Sequence, residues 1–369
     1  MSRTWKVLGG ILLVLVVALA AFALGVSHNS PCGAAPPVPH GAPSMREIAY
    51  RCYGSPDVVK LEQVARPTPT DSQVLIRVYA ASVNPLDFHY LTGQPYIVRP
   101  MLGWGAPKDA RLGTDFAGTV EAVGPSATRF KPGDRVFGGA DGSFGEYVVH
   151  RESGSIAPMP TNMTFEQAAA VPVAGLTALQ AVRDAARVRP GDKVLVNGAG
   201  GGVGTFTVQI ARAFGAEVTA VTNTANLALV RSLGADHVID YTREDFTTRP
   251  ERYDAIIDCG GGHSLHAYRR VLKPHGKFVG VGEARMGNWI EPIDMLFIKP
   301  AVMSRLSTQQ FSAVMATLRG ADLVFVADLI DSGKVKPVID RRYPLSQTAD
   351  AIRYLETGHA RGKVVIDIP

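Results

Sequence analysis

Cysteine is scarce in this chain: three in 369 residues, at positions 32, 52 and 259. So few, dispersed and odd in number, they indicate no disulfide framework. Charge is thin as well, at 19% of residues, with 38 basic side chains against 33 acidic ones. The resulting +5 is not gathered into a Lys/Arg cluster, which speaks against a nucleic-acid partner. No internal repeat is visible, and only one apolar run is long, so neither a repeat array nor a multi-span membrane protein fits. What remains is a globular chain, 46% hydrophobic, long enough for two domains or for one inserted in another.

The long apolar run lies at 7–26 (VLGGILLVLVVALAAFALGV), uncharged and preceded by Arg3 and Lys6. About twenty such residues match the roughly 30 Å hydrocarbon core of a bilayer. An uncleaved single-pass anchor is therefore expected. The competing reading is a cleaved signal peptide ending near Ala21-Phe22-Ala23, although apolar residues continue past that site. Residues 27–44 carry no Asp, Glu, Lys or Arg and five prolines, a composition suited to a semi-rigid spacer. Arg3 and Lys6 favour a cytoplasmic N-terminus and an external body. A nicotinamide cofactor, inferred below, favours the opposite side, and the sequence leaves the side open.

From Met45 to about Val171 the chain reads as short β-runs broken by Gly and Pro (74–79, 118–123, 135–137, 147–149), a small barrel-like domain. From 172 to about 320 apolar strands alternate with helical segments. The strands at 193–197, 217–222, 237–240, 255–258 and 277–281 call for a parallel sheet covered on both faces. Two amphipathic helices (321–332, 347–358) and a last strand (362–368) follow. That strand is expected to rejoin the first domain's sheet, which makes the doubly wound unit an insertion. The domain plan is thus 1–26 anchor, 27–44 linker, 45–171 first part of the catalytic domain, 172–320 nucleotide-binding domain and 321–369 the catalytic domain's return.

The most informative stretch is DKVLVNGAGGGVGTFTVQIAR at 192–212. A buried strand runs into a glycine cluster and then a helix. Glycines there permit a tight turn and let backbone approach a pyrophosphate, while the helix N-terminus offers unpaired N–H groups to the anion. Aligned on Gly204, the pattern is Ala199-x-Gly201-x-x-Gly204, and Gly200, Gly202 and Val203 complete the turn. At the end of the next strand an acidic residue would bind the ribose 2′-hydroxyl and repel a 2′-phosphate. Thr222 and Asn223 stand there instead, so NADPH is favoured over NADH.

These residues resemble the medium-chain dehydrogenase/reductase superfamily, in its zinc-free quinone oxidoreductase (zeta-crystallin-like) branch. The resemblance covers essentially 45–369. It rests on ASVNPLD (81–87), LGTDFAG (112–118), FKPGDRV (130–136), GSFGEY (142–147), AAAVPVAGLTA (168–178), the glycine turn and LGADHVID (233–240). It implies an α/β protein in which a GroES-like β-barrel domain carries an inserted Rossmann domain, with the active site between them. A homodimer is a common arrangement in that branch.

Related zinc enzymes place Cys near Asn84 and Gly-His-Glu where this chain has Gly113-Thr114-Asp115, and they carry a four-Cys lobe that is missing here. No zinc is therefore expected, and Cys259, His263 and His266 form only a weak metal lookalike. Without a metal, the hydride acceptor has to be electrophilic itself, as quinones and α,β-unsaturated carbonyls are. The resemblance puts Asn84 and Asp87 in the active cleft as catalytic candidates, with Tyr96 as a proton donor and Thr177 beside the nicotinamide. Asn84-Pro85 also reads as a turn and Asp87 as a helix cap. Two alternatives stand beside this reading: a zinc-free enoyl-thioester or alcohol/aldehyde reductase, and a tethered NADPH-binding scaffold without turnover.

Overall fold

In a computed structural model, residues 3–282, 288–289 and 294–369 are described, with side chains of the first helix from Ile11 onward. Helix α1 (Arg3–Ser27) leads into an extended segment and then the hairpin β1 (Ser44–Tyr50) and β2 (Val59–Ala65). Next come β3 (Gln73–Val83), α2 (Pro85–Thr92), α3 (Arg99–Leu102), β4 (Asp115–Val123), β5 (Arg135–Gly139), β6 (Tyr147–Arg151) and β7 (Ile156–Pro158). Two helices, α4 (Phe165–Ala169) and α5 (Pro172–Leu179), carry the chain across to the second half.

That half is built from β8 (Lys193–Asn197), α6 (Gly202–Ala213), β9 (Glu217–Thr222), α7 (Leu227–Ser232) and β10 (His237–Asp240). It continues through β11 (Tyr253–Asp258), α8 (Leu265–Val271), β12 (Leu272–Gly280), α9 (Lys299–Arg305) and β13 (Gln310–Ala313). The chain closes with α10 (Gly320–Asp331), β14 (Ile339–Pro344), α11 (Thr348–Glu356) and β15 (Lys363–Asp367).

Two sheets organise the body. Strands β8 to β13 form a six-stranded sheet in the order β10-β9-β8-β11-β12-β13, every neighbour parallel. The inner strands β8, β9 and β11 are buried on both faces, as a parallel sheet under helices requires. The other sheet runs β14-β15-β3-β4-β5-β7, with β6 paired to β3. The final strand pairs antiparallel with β3, Ile366 opposite Ala81. The six-stranded unit is therefore inserted between β7 and β14, as the sequence pattern indicates. The long β3 bends at register shifts after Leu75 and Val78 and pairs with β4, β6 and β15, which gives this sheet its barrel-like closure.

Two sequence expectations change. The segment at 7–26 does form part of a helix, α1, yet among the described residues no helix is long and apolar enough to cross a membrane. Its side chains from Ile11 to Leu24 are nonetheless largely exposed and apolar. The cysteines do pair: Cys32 and Cys52 form a disulfide with Cα atoms 4.5 Å apart, leaving Cys259 free. Residue counting could not see that the spacer folds back onto the hairpin.

Candidate active site

The floor of the site is a buried polar cluster at the end of β3. Ser82, Asn84, Asp87, Asp115 and Lys363 are each at least 96% buried. The Asp115 carboxylate accepts from Ser82 Oγ at 2.7 Å, Asn84 Nδ2 at 3.0 Å and Lys363 Nζ at 3.3 Å through one oxygen. Its other oxygen accepts from the Val173 N–H at 2.9 Å, in the first turn of α5. Lys363 Nζ also donates to Asn84 Oδ1 at 2.5 Å, and Asn84 Nδ2 donates further to the Ser82 carbonyl at 3.2 Å. A buried charge is tolerated only when paired and hydrogen-bonded in this way. The Asn84 amide is thus fully occupied by the protein.

Asp87 accepts from the Asn84 N–H at 2.7 Å across the start of α2, the half of a capping box that the Asn-Pro-x-Asp spacing offers. Burial pushes its carboxyl up to about 7, with the Asp115 charge adding to the rise; the Asn84 N–H and Lys363 oppose it. Its second oxygen is buried without a hydrogen-bond partner. Tyr96 stands farther out, its ring 4.7 Å from the Arg99 guanidinium and 5.0 Å from the Trp289 ring. Thr177, on α5, donates its hydroxyl to the Val173 carbonyl at 2.6 Å.

The opposite wall is the glycine turn. Gly198 follows β8 at φ +73°, a conformation that favours glycine. A Cβ on Gly204 would lie 2.1 Å from the Gly198 carbonyl oxygen, so only glycine lets α6 start this close to the strand. Between the turn and the floor lies a cleft of about 170 Å³ lined by Asn84, Gly198, Gly201–Gly204, Cys259 and Lys363, among others. Gly201, Gly202, Val203 and Gly204 thus face the same cavity as Asn84. The cavity, the open glycine backbone and the twelve-residue helix α6 behind it fit a dinucleotide pyrophosphate. Burial pushes the Cys259 thiol up to about 12, so it stays protonated near neutrality, in line with a small packed side chain.

At the far end of the turn, Gly200 packs against Thr222 and Asn226. Asn223 caps the next turn, its Oδ1 accepting from the Asn226 N–H at 3.2 Å. The C-terminal segment crosses here. The Gly362 N–H donates to the Gly200 carbonyl at 3.0 Å, and Arg361 donates through Nε to Asn226 Oδ1 at 2.8 Å and through Nη2 to the Ala225 carbonyl at 3.4 Å. The cation that the turn itself lacks therefore comes from 135 residues away in sequence.

Arg361 and Lys363 are the residues that sequence reasoning missed. The available signal was small: a lysine opening a last strand whose next three residues are apolar, KVVID. Among the described residues no group of three or more His, Cys, Asp or Glu side chains could hold a metal ion, the Cys259/His263/His266 set included.

With this geometry in view, similarity to known proteins is informative. Residues 70–161 match the family model of the alcohol dehydrogenase GroES-like domain, and residues 233–366 match that of zinc-binding dehydrogenases. The chain is 34% identical over 340 residues to the chloroplast envelope quinone oxidoreductase homolog of Arabidopsis thaliana, covering 88% of this chain and 98% of that protein. It is 36% identical over 337 residues to the 2-methylene-furan-3-one reductase of Solanum lycopersicum, covering 87% and 79%. The structure of the quinone oxidoreductase from Coxiella burnetii superposes with a TM-score of 0.76 at 30% identity, covering 89% of this chain and all of the other. The chain belongs to the medium-chain dehydrogenase/reductase superfamily, in its quinone oxidoreductase-like branch.

Proposed function

We propose that the protein is a zinc-independent, NADPH-dependent oxidoreductase that reduces quinones or α,β-unsaturated carbonyls from a membrane-attached position. The observation that carries the reading is one cleft with the open glycine turn on one wall and the Asn84–Lys363–Asp115 cluster on the other. Relatives named quinone oxidoreductase, from Homo sapiens, and NADPH-dependent alkenal/one oxidoreductase, from Arabidopsis thaliana, support the substrate class.

NADPH, when bound, supplies the hydride. The Gly201–Gly204 backbone and the first turn of α6 would hold its pyrophosphate, and Arg361 with Asn223 would hold the 2′-phosphate. Asp115, itself held by Asn84, fixes the first turn of α5 through the Val173 N–H, one turn before Thr177, relative to the barrel floor. The acceptor gains one hydride and one proton, giving a hydroquinone or a saturated carbonyl. Asn84 and Asp87 act by positioning, and Tyr96, which lies outside the cleft lining, is the candidate proton donor. The apolar, outward-facing α1 supports attachment to a membrane. Strand β13, at an open edge of the six-stranded sheet, offers a seam for a homodimer, which sedimentation of the purified chain would reveal.

The test is a substrate panel followed by NADPH absorbance: quinones, enones, enoyl thioesters and aldehydes, each with and without a chelator. Turnover is expected with quinones or enones and unchanged by the chelator. Turnover only with aldehydes or thioesters, loss on chelation, or cofactor binding without any turnover would each sink the reading.

A further inference from the structure

Arg99 is 1% exposed although its sequence neighbours Ile97 and Met101 lie open. Its guanidinium donates to the carbonyls of Thr92 and Gly93 at the end of α2, and to those of Val26 and His28 where α1 ends, all at 2.9 Å. Tyr53 and Tyr96 cover its faces at 4.3 and 4.7 Å. The strap after α1 is fastened further by the Cys32–Cys52 disulfide, by Asn29 Nδ2 on the Tyr53 carbonyl, and by Ser30 N–H on the Gly105 carbonyl. Residues 27–33 are therefore no free tether. The last turn of α1 is locked to the loop that follows α2, and Pro85 of α2 lines the cleft.

This lock fixes what lies beside α1 as it leaves the body. Phe22 meets Trp104 edge to face at 6.0 Å. Trp104, Met101 and Ile97 are 53%, 79% and 43% exposed. Residues 93–108 contain no acidic side chain, and the Lys108 ammonium sits on the carbonyls of Pro100 and Met101 at the patch's edge. A tryptophan and aliphatic side chains bordered by a lysine, continuous with an apolar helix, match the interfacial region of a bilayer with anionic headgroups.

We infer that residues 97–104, together with the last turns of α1, rest on a lipid bilayer as one surface, so that the body is held with its α2–α3 side facing the lipid. This inference rests on the membrane attachment proposed above. It deepens that reading by fixing the orientation, and it makes a lipid-dissolved quinone or enone the substrate class that the body meets on its α2–α3 side, where Pro85 of α2 lines the cleft.

The test uses the full chain in vesicles of phosphatidylcholine and phosphatidylglycerol. The double variant W5F/W289F leaves Trp104 as the sole tryptophan; the difference between wild type and Trp104→Phe gives the same reading should that variant fold poorly. Phosphatidylcholine brominated high on its acyl chains is expected to quench Trp104 emission by about half, with iodide access reduced. Met101→Glu should leave turnover of a water-soluble quinone unchanged while lowering turnover of a long-chain quinone in the vesicles several-fold.

A chain that floats with the vesicles but shows Trp104 unquenched and open to iodide overturns the orientation and leaves the attachment standing. Protection from iodide without lipid quenching overturns it in favour of a second copy on this surface. A chain that does not float with the vesicles overturns both.

Discussion

Lys363 and Asp115 are charges placed where neither meets water, and the consequences can be measured one side chain at a time. Removing the cation alone leaves a carboxylate buried with neutral partners, which costs about 3–5 kcal/mol in comparable sites. Lys363→Met should therefore lower the melting temperature by roughly 10 °C. It also unfastens Asn84, so NADPH-dependent turnover should fall at least about tenfold. A variant with unchanged melting and kinetics would show that the cluster is decoration.

Asp87 carries a pH signature. Its carboxyl is raised from 3.8 to about 7 by burial, with the Asp115 charge adding to the rise, so between those values the folded state holds a proton that the unfolded state releases. Stability from this group is full below about pH 4 and is lost as pH rises through 7. Asp87→Asn should flatten that stretch of the melting-temperature profile by roughly a few degrees; an unaltered slope counts against the assignment. Arg361 makes a separate prediction. Its loss in Arg361→Ala should raise KM for NADPH about 10–100-fold, the worth of charge-assisted bonds to phosphate, and leave KM for NADH within about twofold.

At the scale of elements, the strap made by residues 27–33 and the Arg99 clamp form one device. The disulfide closes a loop of 20 residues, worth about 3 kcal/mol by the chain-entropy model. Thiol titration of the unreduced, unfolded chain should count one reactive cysteine, Cys259, and three after reduction. Arg99→Ala should speed hydrogen exchange and proteolysis at 27–33 while the sheets keep their protection; exchange rates equal to wild type would mean that the strap is held elsewhere.

The contrast with what the sequence revealed is physical. Strands β8 and β9 coincide with their apolar runs because a parallel strand buried on both faces writes itself as a continuous stretch. The return of β15 to the barrel could be read from a lone strand left at the end of the chain. Asn84, Asp87 and the glycine turn were visible because their chemistry is local. Arg99, Cys32–Cys52, Lys363 and Arg361 were not, since each acts on partners brought close only by the fold: Lys363 on Asn84 across 279 residues, Arg361 on Asn226 across 135. Hydrophobic periodicity carries no information about such pairs.

On the scale of the whole molecule, the two sheets share a core. Ala80, Ala117 and Phe137 of the barrel sheet, α5 between the halves, and Val194, Val196 and Val218 of the parallel sheet belong to one continuous cluster, joined by Val365 from the last strand. Separate domains would each bury their own apolar surface and meet across a more polar seam. Here the seam is part of the core, so neither half can lose its packing without exposing the other. The body should therefore unfold in a single calorimetric transition. Because the glycine turn belongs to one half and the Lys363 cluster to the strands of the other, a dinucleotide bound between them must stabilise the whole unit. NADPH at a hundred times its Kd should add about 2.7 kcal/mol and move the entire transition upward by several degrees, with NADH at equal concentration moving it less. Two transitions, only one of them shifted by NADPH, would show that the halves fold independently and that the shared core does not couple them.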